Sequence, residues 1–230
     1  MKTIGILGGM SWESSAAYYA LINRAVRDRL GAPHSARTLM LSVDFAEIAS
    51  RQHDGDWAGL EAMMVAEARA IEAGGADMLL IATNTMHIAA DAVQAAIGIP
   101  LLHIGDVTAA AIRGAGFAKV GLLGTAFTME KPFYRERIAA GIGGEVIVPD
   151  AADRATVHRI IYDELIAGVV RDDSREEYRD VIARLVAEGA QAIILGCTEI
   201  MLLVGEDDSA VPLFDTTTLH AMAAVELALK

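Results

Sequence analysis

Residues 79–84 read Leu79-Leu80-Ile81-Ala82-Thr83-Asn84, and residues 193–198 read Ile193-Ile194-Leu195-Gly196-Cys197-Thr198. Working outward, Ile4-Gly5-Ile6-Leu7-Gly8 precedes the first stretch as Val120-Gly121-Leu122-Leu123-Gly124 precedes the second. Pro100-Leu101-Leu102-His103 follows the first as Pro212-Leu213-Phe214-Asp215 follows the second. Buried strands resemble one another by chance, so no single match carries weight. The shared order at nearly constant spacing does, and it points to two copies of one unit.

The unit is α/β. Short β-rich runs at 3–7, 38–43, 78–82, 101–104, 120–123, 144–147, 192–195 and 213–214 alternate with stretches of helical period, such as Trp57–Ala73 and 175–188. Gly74-Gly75 and Gly189 supply helix stops. Continuous apolar strands between amphipathic helices predict mainly parallel sheet covered on both faces. A terminal helix over 219–230 is strongly apolar and must pack on its own domain or on a partner subunit.

Composition excludes several classes. The 230 residues carry a net charge of −12, which argues against a nucleic-acid surface. No apolar run is long enough to span a bilayer, and the start MKTIGILGGMSW reads as a buried strand and turn rather than a signal peptide. The single cysteine, Cys197, rules out an intrachain disulfide and a multi-cysteine metal site, and the six histidines show no HExxH or HxH spacing. A cytoplasmic, metal-free protein is the expectation. Lys2, Lys119, Lys131 and Lys230 are not placed as Schiff-base lysines, so no pyridoxal cofactor is expected. The turn Gly8-Gly9-Met10-Ser11 lacks the spacing of nucleotide-binding loops.

In open parallel sheets, ligands bind beyond the carboxyl ends of the strands. The repeat puts turns 8–11, 83–85, 124–128 and 197–199 in equivalent places. If the halves face each other about a pseudo-twofold axis, these turns converge on one cleft, with Thr83 and Cys197 on opposite walls. A thiol opening a helix feels the positive end of the macrodipole, which favours thiolate, although a nearby Glu199 opposes this. The bland alternative is a small buried apolar residue. Asn84, Thr85, Thr125, Thr128 and Thr198 are good helix caps; together they also form a ring of donors able to hold a carboxylate without arginine. Met10 and Ser11 should line the same cleft. His87 lies four residues after Thr83 on one expected helix, either relaying a proton for Thr83 or serving as a capping or packing residue. Asp215 and His220 read as structural.

The segments GILGGMSWESS (5–15), ATNTMH (82–87), GLLGT (121–125) and ILGCTEI (194–200) together resemble the aspartate/glutamate racemase family, in order and over nearly the whole chain. The resemblance implies two pseudo-symmetric flavodoxin-like domains with a cofactor-free site in the cleft between them. It implies a proton moved at the α-carbon of an amino acid or related carboxylate, commonly by two cysteines, one from each half. It also implies that the second half is inserted into the first, giving domains 1–98 plus 213–230 and 99–212, and a homodimer. Arg51-Gln52 fall where such racemases carry a group for the distal carboxylate; Arg51 is either that clamp or a solvated charge.

The sequence departs from the family pattern at one catalytic position. Cys197 matches the second cysteine, whereas the first falls on Thr83, a poor base near neutral pH. Three readings follow: an aspartate and/or glutamate racemase with unequal faces; a one-cysteine decarboxylase or isomerase of a small dicarboxylate; and a binding homologue without turnover.

Overall fold

The computed structural model describes residues 1–230, which divide into two compact units, Met1–Ile104 with His220–Lys230, and Gly105–Leu219. In the first unit β1 (Ile4–Gly8), α1 (Trp12–Leu30), β2 (Thr38–Ser42), α2 (Phe45–Asp54), α3 (Trp57–Ala73), β3 (Met78–Ile81) and α4 (Ala90–Ala96) follow one another. The sheet is parallel, in the order β2-β1-β3, with Gly8 opposite Ser42 and Leu7 opposite Ile81.

Period-two alternation sorts its core. Ile4 and Ile6 of β1 with Met78 and Leu80 of β3 face one apolar cluster. Leu7, Leu79 and Ile81 face the other, with Leu60, Met64, Ala68 and Ile71 of α3. Both strands are fully buried, which is why they read as unbroken apolar runs. Gly5 lets α3 approach: a Cβ there would stand 2.5 Å from the Ile71 side chain.

The second unit holds α5 (Ile104–Gly114), β4 (Lys119–Leu123), α6 (Ala126–Glu130), α7 (Pro132–Ile142), β5 (Glu145–Ile147), α8 (Ala151–Asp163), α9 (Asp172–Ala187), β6 (Ile193–Leu195), β7 (Leu213–Asp215) and the start of α10 (Thr216–Leu229). Its four-stranded parallel sheet has the order β5-β4-β6-β7. The central strand is flanked as in the first unit, and the repeat extends to the fourth position: β7 pairs with β6, while Leu101 bridges Leu79 of β3. Only that one bridge forms where a strand over 101–104 was expected, because α5 already begins at Ile104.

From sequence, the return crossing falls near 212, with 213–230 in the first domain. Instead, Leu213–Asp215 is an edge strand of the second sheet, held by backbone pairing to β6, and the boundary along the chain falls within α10, between Leu219 and His220. From His220 onward α10 completes the first unit. Ala221, Ala224, Val225 and Ala228 pack against Ile4, Ile6, Tyr18 and Ile22, and the Lys2 N–H donates to the Ala228 carbonyl at 2.9 Å. The apolar terminal helix is thus covered by its own domain. No helix is long and apolar enough to cross a membrane.

Candidate functional site

In the first unit the candidate residues gather beyond the carboxyl ends of β1 and β3. Turn 8–11 is tied to the first turn of α1 by hydroxyls. Ser11 Oγ accepts the Ser14 N–H at 3.3 Å, and Ser15 Oγ accepts the Gly9 N–H at 2.7 Å while donating to the Ser11 carbonyl. Gly8 and Gly9 permit this closeness: a Cβ on Gly8 would lie 2.4 Å from Ser15 Oγ, and Gly9 has φ +88°. Ser14 Oγ donates to the Ala82 carbonyl at 3.2 Å, so the β1 turn and the Thr83 turn are joined. Ser14 and Ser15 were not singled out from sequence; their signal is a hydroxyl pair in the first turn of the helix that follows the Gly8-Gly9 turn.

Met10, Ser11, Asn84 and Thr85 are buried, and Thr83 is partly exposed. The segment after Thr83 is a 3-10 turn (Thr85–Ala89), not the α-helix the sequence predicts, and the Asn84 side chain makes no capping bond to it. His87 accordingly meets Thr83 differently from a relay: its Nδ1 lies 2.7 Å from the Thr83 backbone carbonyl. On α2 the neighbours Arg51 and Gln52 part company. Arg51 donates to Asp56 at 2.7 Å and to Glu47 at 3.1 Å, partners that raise its pKa. Gln52 is buried, with Nε2 donating to Met86 Sδ at 3.4 Å, inside the turn that follows Thr83.

In the second unit, Thr125 caps α6, accepting the Thr128 N–H at 3.3 Å, and Thr128 is fully buried beneath it. The β4 and β6 turns touch through glycines. The Gly196 N–H donates to the Leu123 carbonyl at 2.6 Å, and a Cβ on Gly124 would lie 2.9 Å from the Gly196 carbonyl oxygen.

Cys197 follows β6, but the α-helix expected at its back is absent; a 3-10 turn begins only at Ile200. A single such turn aligns few peptide dipoles, so the macrodipole argument for a thiolate fails. Instead Cys197 Sγ donates to Glu199 Oε2 at 2.9 Å, and Thr198 Oγ1 donates to the same oxygen at 2.8 Å. Loss of water around the sulfur pushes the thiol pKa well up, and Glu199 adds to this, against the backbone N–H groups of Thr198 and Glu199, which pull it down. Cys197 therefore rests as a thiol beside a proton acceptor. Thr198 serves that carboxylate rather than a helix end.

Two tyrosines missed from sequence lie within electrostatic reach of the pair. Burial raises the pKa of both Tyr162 and Tyr178, with smaller electrostatic contributions from Cys197 and Glu199 at Tyr162 and from Cys197, Glu164 and Glu199 at Tyr178. The His158 ring packs on Tyr162 at a tilt of 47°, with centroids 4.6 Å apart. The spacing of His158 and Tyr162 on one helix face was the available signal.

The Asp/Glu/hydantoin racemase family profile matches residues 7–224. The chain is 50% identical to a Yersinia pestis protein whose crystal structure is described as that of a candidate Asp/Glu racemase, with a TM-score of 0.93 and full coverage of both chains. It is 33% identical to PH1733, an aspartate racemase homologue from Pyrococcus horikoshii OT3, again over both full chains, with a TM-score of 0.86. The broad specificity amino-acid racemase RacX of Bacillus subtilis (strain 168) is 25% identical over 96% of each chain. On these matches, together with the paired parallel-sheet units, the chain belongs to the Asp/Glu/hydantoin racemase family.

Proposed function

We propose that the protein is a cofactor-independent amino-acid racemase interconverting L- and D-aspartate and/or glutamate, with Cys197 and Thr83 serving opposite faces of the α-carbon. The observation that carries this reading is the Cys197 thiol seated 2.9 Å from Glu199 at the end of β6, in the repeat position that Thr83 occupies after β3.

Racemisation breaks the Cα–H bond on one face and makes it on the other. On the Cys197 face, a thiol can deliver a proton to the carbanion. In the opposite direction the thiol first passes its proton to Glu199, and the thiolate then takes the α-proton. Peptide N–H groups and hydroxyls of the turns, those of Ser11, Asn84, Thr85 and Thr125 among them, hold the substrate carboxylate and stabilise the charge that develops on it. Thr83 is the weaker partner, since a hydroxyl is a poor base, so exchange from the two enantiomers should be unequal. A side-chain carboxylate reaching α2 would meet Gln52 and Arg51; binding to Arg51 requires it to loosen from Glu47 or Asp56. A cytoplasmic homodimer is the assembly that accompanies this reading.

The test is α-proton exchange. Each enantiomer of aspartate and glutamate is incubated in heavy water with wild type, Cys197→Ala and Thr83→Ala, then followed by NMR and chiral chromatography. Exchange that disappears in Cys197→Ala is expected, falling by about 100-fold or more, the scale on which a positioned acid/base group acts. No exchange with any of the four compounds by folded wild-type protein removes the assignment.

A further inference from the structure

The turn carrying Thr83 is held through its backbone by a histidine. His87 is buried. Its Nε2 lies 3.2 Å from the Ile104 backbone N–H, and its Nδ1 lies 2.7 Å from the Thr83 carbonyl. A peptide N–H only donates, so Nε2 must be the unprotonated nitrogen and the ring proton sits on Nδ1. The tautomer is thus fixed by the backbone on both sides. Protonating Nε2 would set one N–H against another. The ring also packs on His103, with centroids 4.5 Å apart and planes at 60°.

The element that His87 grips is itself anchored. Leu102 N–H donates to Leu79 of β3 at 2.9 Å, and the Leu102 carbonyl is 2.8 Å from His220 Nε2. Tyr18 OH meets the other nitrogen of that ring at 2.9 Å. Because a carbonyl only accepts, His220 carries its proton on Nε2, the opposite tautomer to His87. Segment 101–104 is therefore pinned at Leu102 and again at Ile104, and His87 transmits that rigidity to the Thr83 carbonyl. In a trans peptide the C=O and the next N–H point in opposite directions, so holding the Thr83 carbonyl also sets the direction of the Asn84 N–H.

We propose that His87 is a positioning residue: through its bond to the Thr83 carbonyl it fixes the Thr83–Asn84 peptide plane, and with it the Thr83 hydroxyl, for proton transfer on that face of the substrate. This rests on the reading that Thr83 serves one face of the α-carbon. His87 acts through the backbone and exchanges no proton with the substrate. Asn at the same position places an amide N–H where Nδ1–H stands and keeps the bond to Thr83 while giving up Ile104. Ala gives up both.

The experiment follows deuterium entry at the two faces separately. Thr83→Ala first identifies the enantiomer whose exchange depends on Thr83, and Cys197→Ala the one that depends on Cys197. His87→Ala is expected to imitate Thr83→Ala, slowing the Thr83-dependent exchange about tenfold or more while the Cys197-dependent exchange stays within about threefold; a tenfold change is the effect of a small misplacement of a reacting group. His87→Asn should return the Thr83-dependent rate to within about threefold of wild type. Nitrogen-15 NMR of the wild-type ring should show the proton on Nδ1. Equal slowing of both faces, or no slowing of either, overturns the inference, as does a proton found on Nε2. Absence of Cys197-dependent exchange in wild type is a different failure, since it removes the racemase reading and this inference with it.

Discussion

Glu199 and Cys197 hold one proton between them, and no second thiol in the chain obscures it. Replacing Glu199 by Gln removes a negative charge from beside the sulfur, so the thiol pKa should fall toward its ordinary range. Alkylation at neutral pH by a thiol reagent should then be faster by roughly three- to tenfold, because thiolate is the reactive form. An unchanged or slower rate in folded Glu199→Gln would mean that the carboxylate does not govern this proton. The sequence showed that Glu199 opposes a thiolate if its carboxylate lies near. It could not show the bond, because a turn of three residues can aim a carboxylate at the sulfur or away from it. Arg51 illustrates the same boundary: its position was legible, as is its i,i+4 partner Glu47 on α2, but its engagement by Asp56, the N-cap of α3, depends on how α2 meets α3.

Among the elements, the strands and long helices were readable because burial on both faces leaves unbroken apolar runs and because helices repeat their apolar positions. Trp57–Ala73 matches the predicted helix to the residue. Failures cluster after the strands, where the chain turns into 3-10 geometry at Thr85 and Ile200 instead of α-helix. Side-chain hydrogen bonds at His87 and onto the Glu199 carboxylate accompany those turns, and residue propensity does not report them. Glycines at close approaches are a further test. Gly5→Ala sets a methyl carbon 2.5 Å from Ile71, and Gly124→Ala sets one 2.9 Å from the Gly196 carbonyl. Each should cost about 1–3 kcal/mol in urea unfolding, the usual range for overpacking. Gly124→Ala should also impair exchange on the Cys197 face, since it pushes on the residue that precedes the thiol. Gly5→Ala, far down β1 from its turn, should spare the chemistry at equal loss of stability.

Over the whole molecule, the duplication was the most legible feature, since it depends on order and not on any one contact. The point where the chain returns to the first unit was less so. The apolar pattern of 213–214 fits either sheet, and only pairing with β6 decides. His220, at that return, supplies a pH signature. Burial lowers its pKa to about 3, below the ordinary value of 6.5. Below about pH 6.5 the unfolded chain takes up a proton that the folded chain refuses, so stability falls with acid by about 1.4 kcal/mol per pH unit. His220→Gln should be less stable by about 1–3 kcal/mol at pH 8, because Tyr18 and Leu102 lose their partner. That gap should narrow between pH 6.5 and 4.5 in paired denaturation curves. A constant gap would show that the ring is not held neutral.

The return of α10 has a consequence for synthesis. One face of the first unit's sheet is covered only in part, by α1, until Ala221, Ala224, Val225 and Ala228 have been made, whereas the second unit has all its strands by Asp215. A nascent chain therefore meets its domains in reverse order. The inserted unit can close while the half translated first waits with Ile4 and Ile6 covered by α1 alone, its core incomplete until residue 228 emerges.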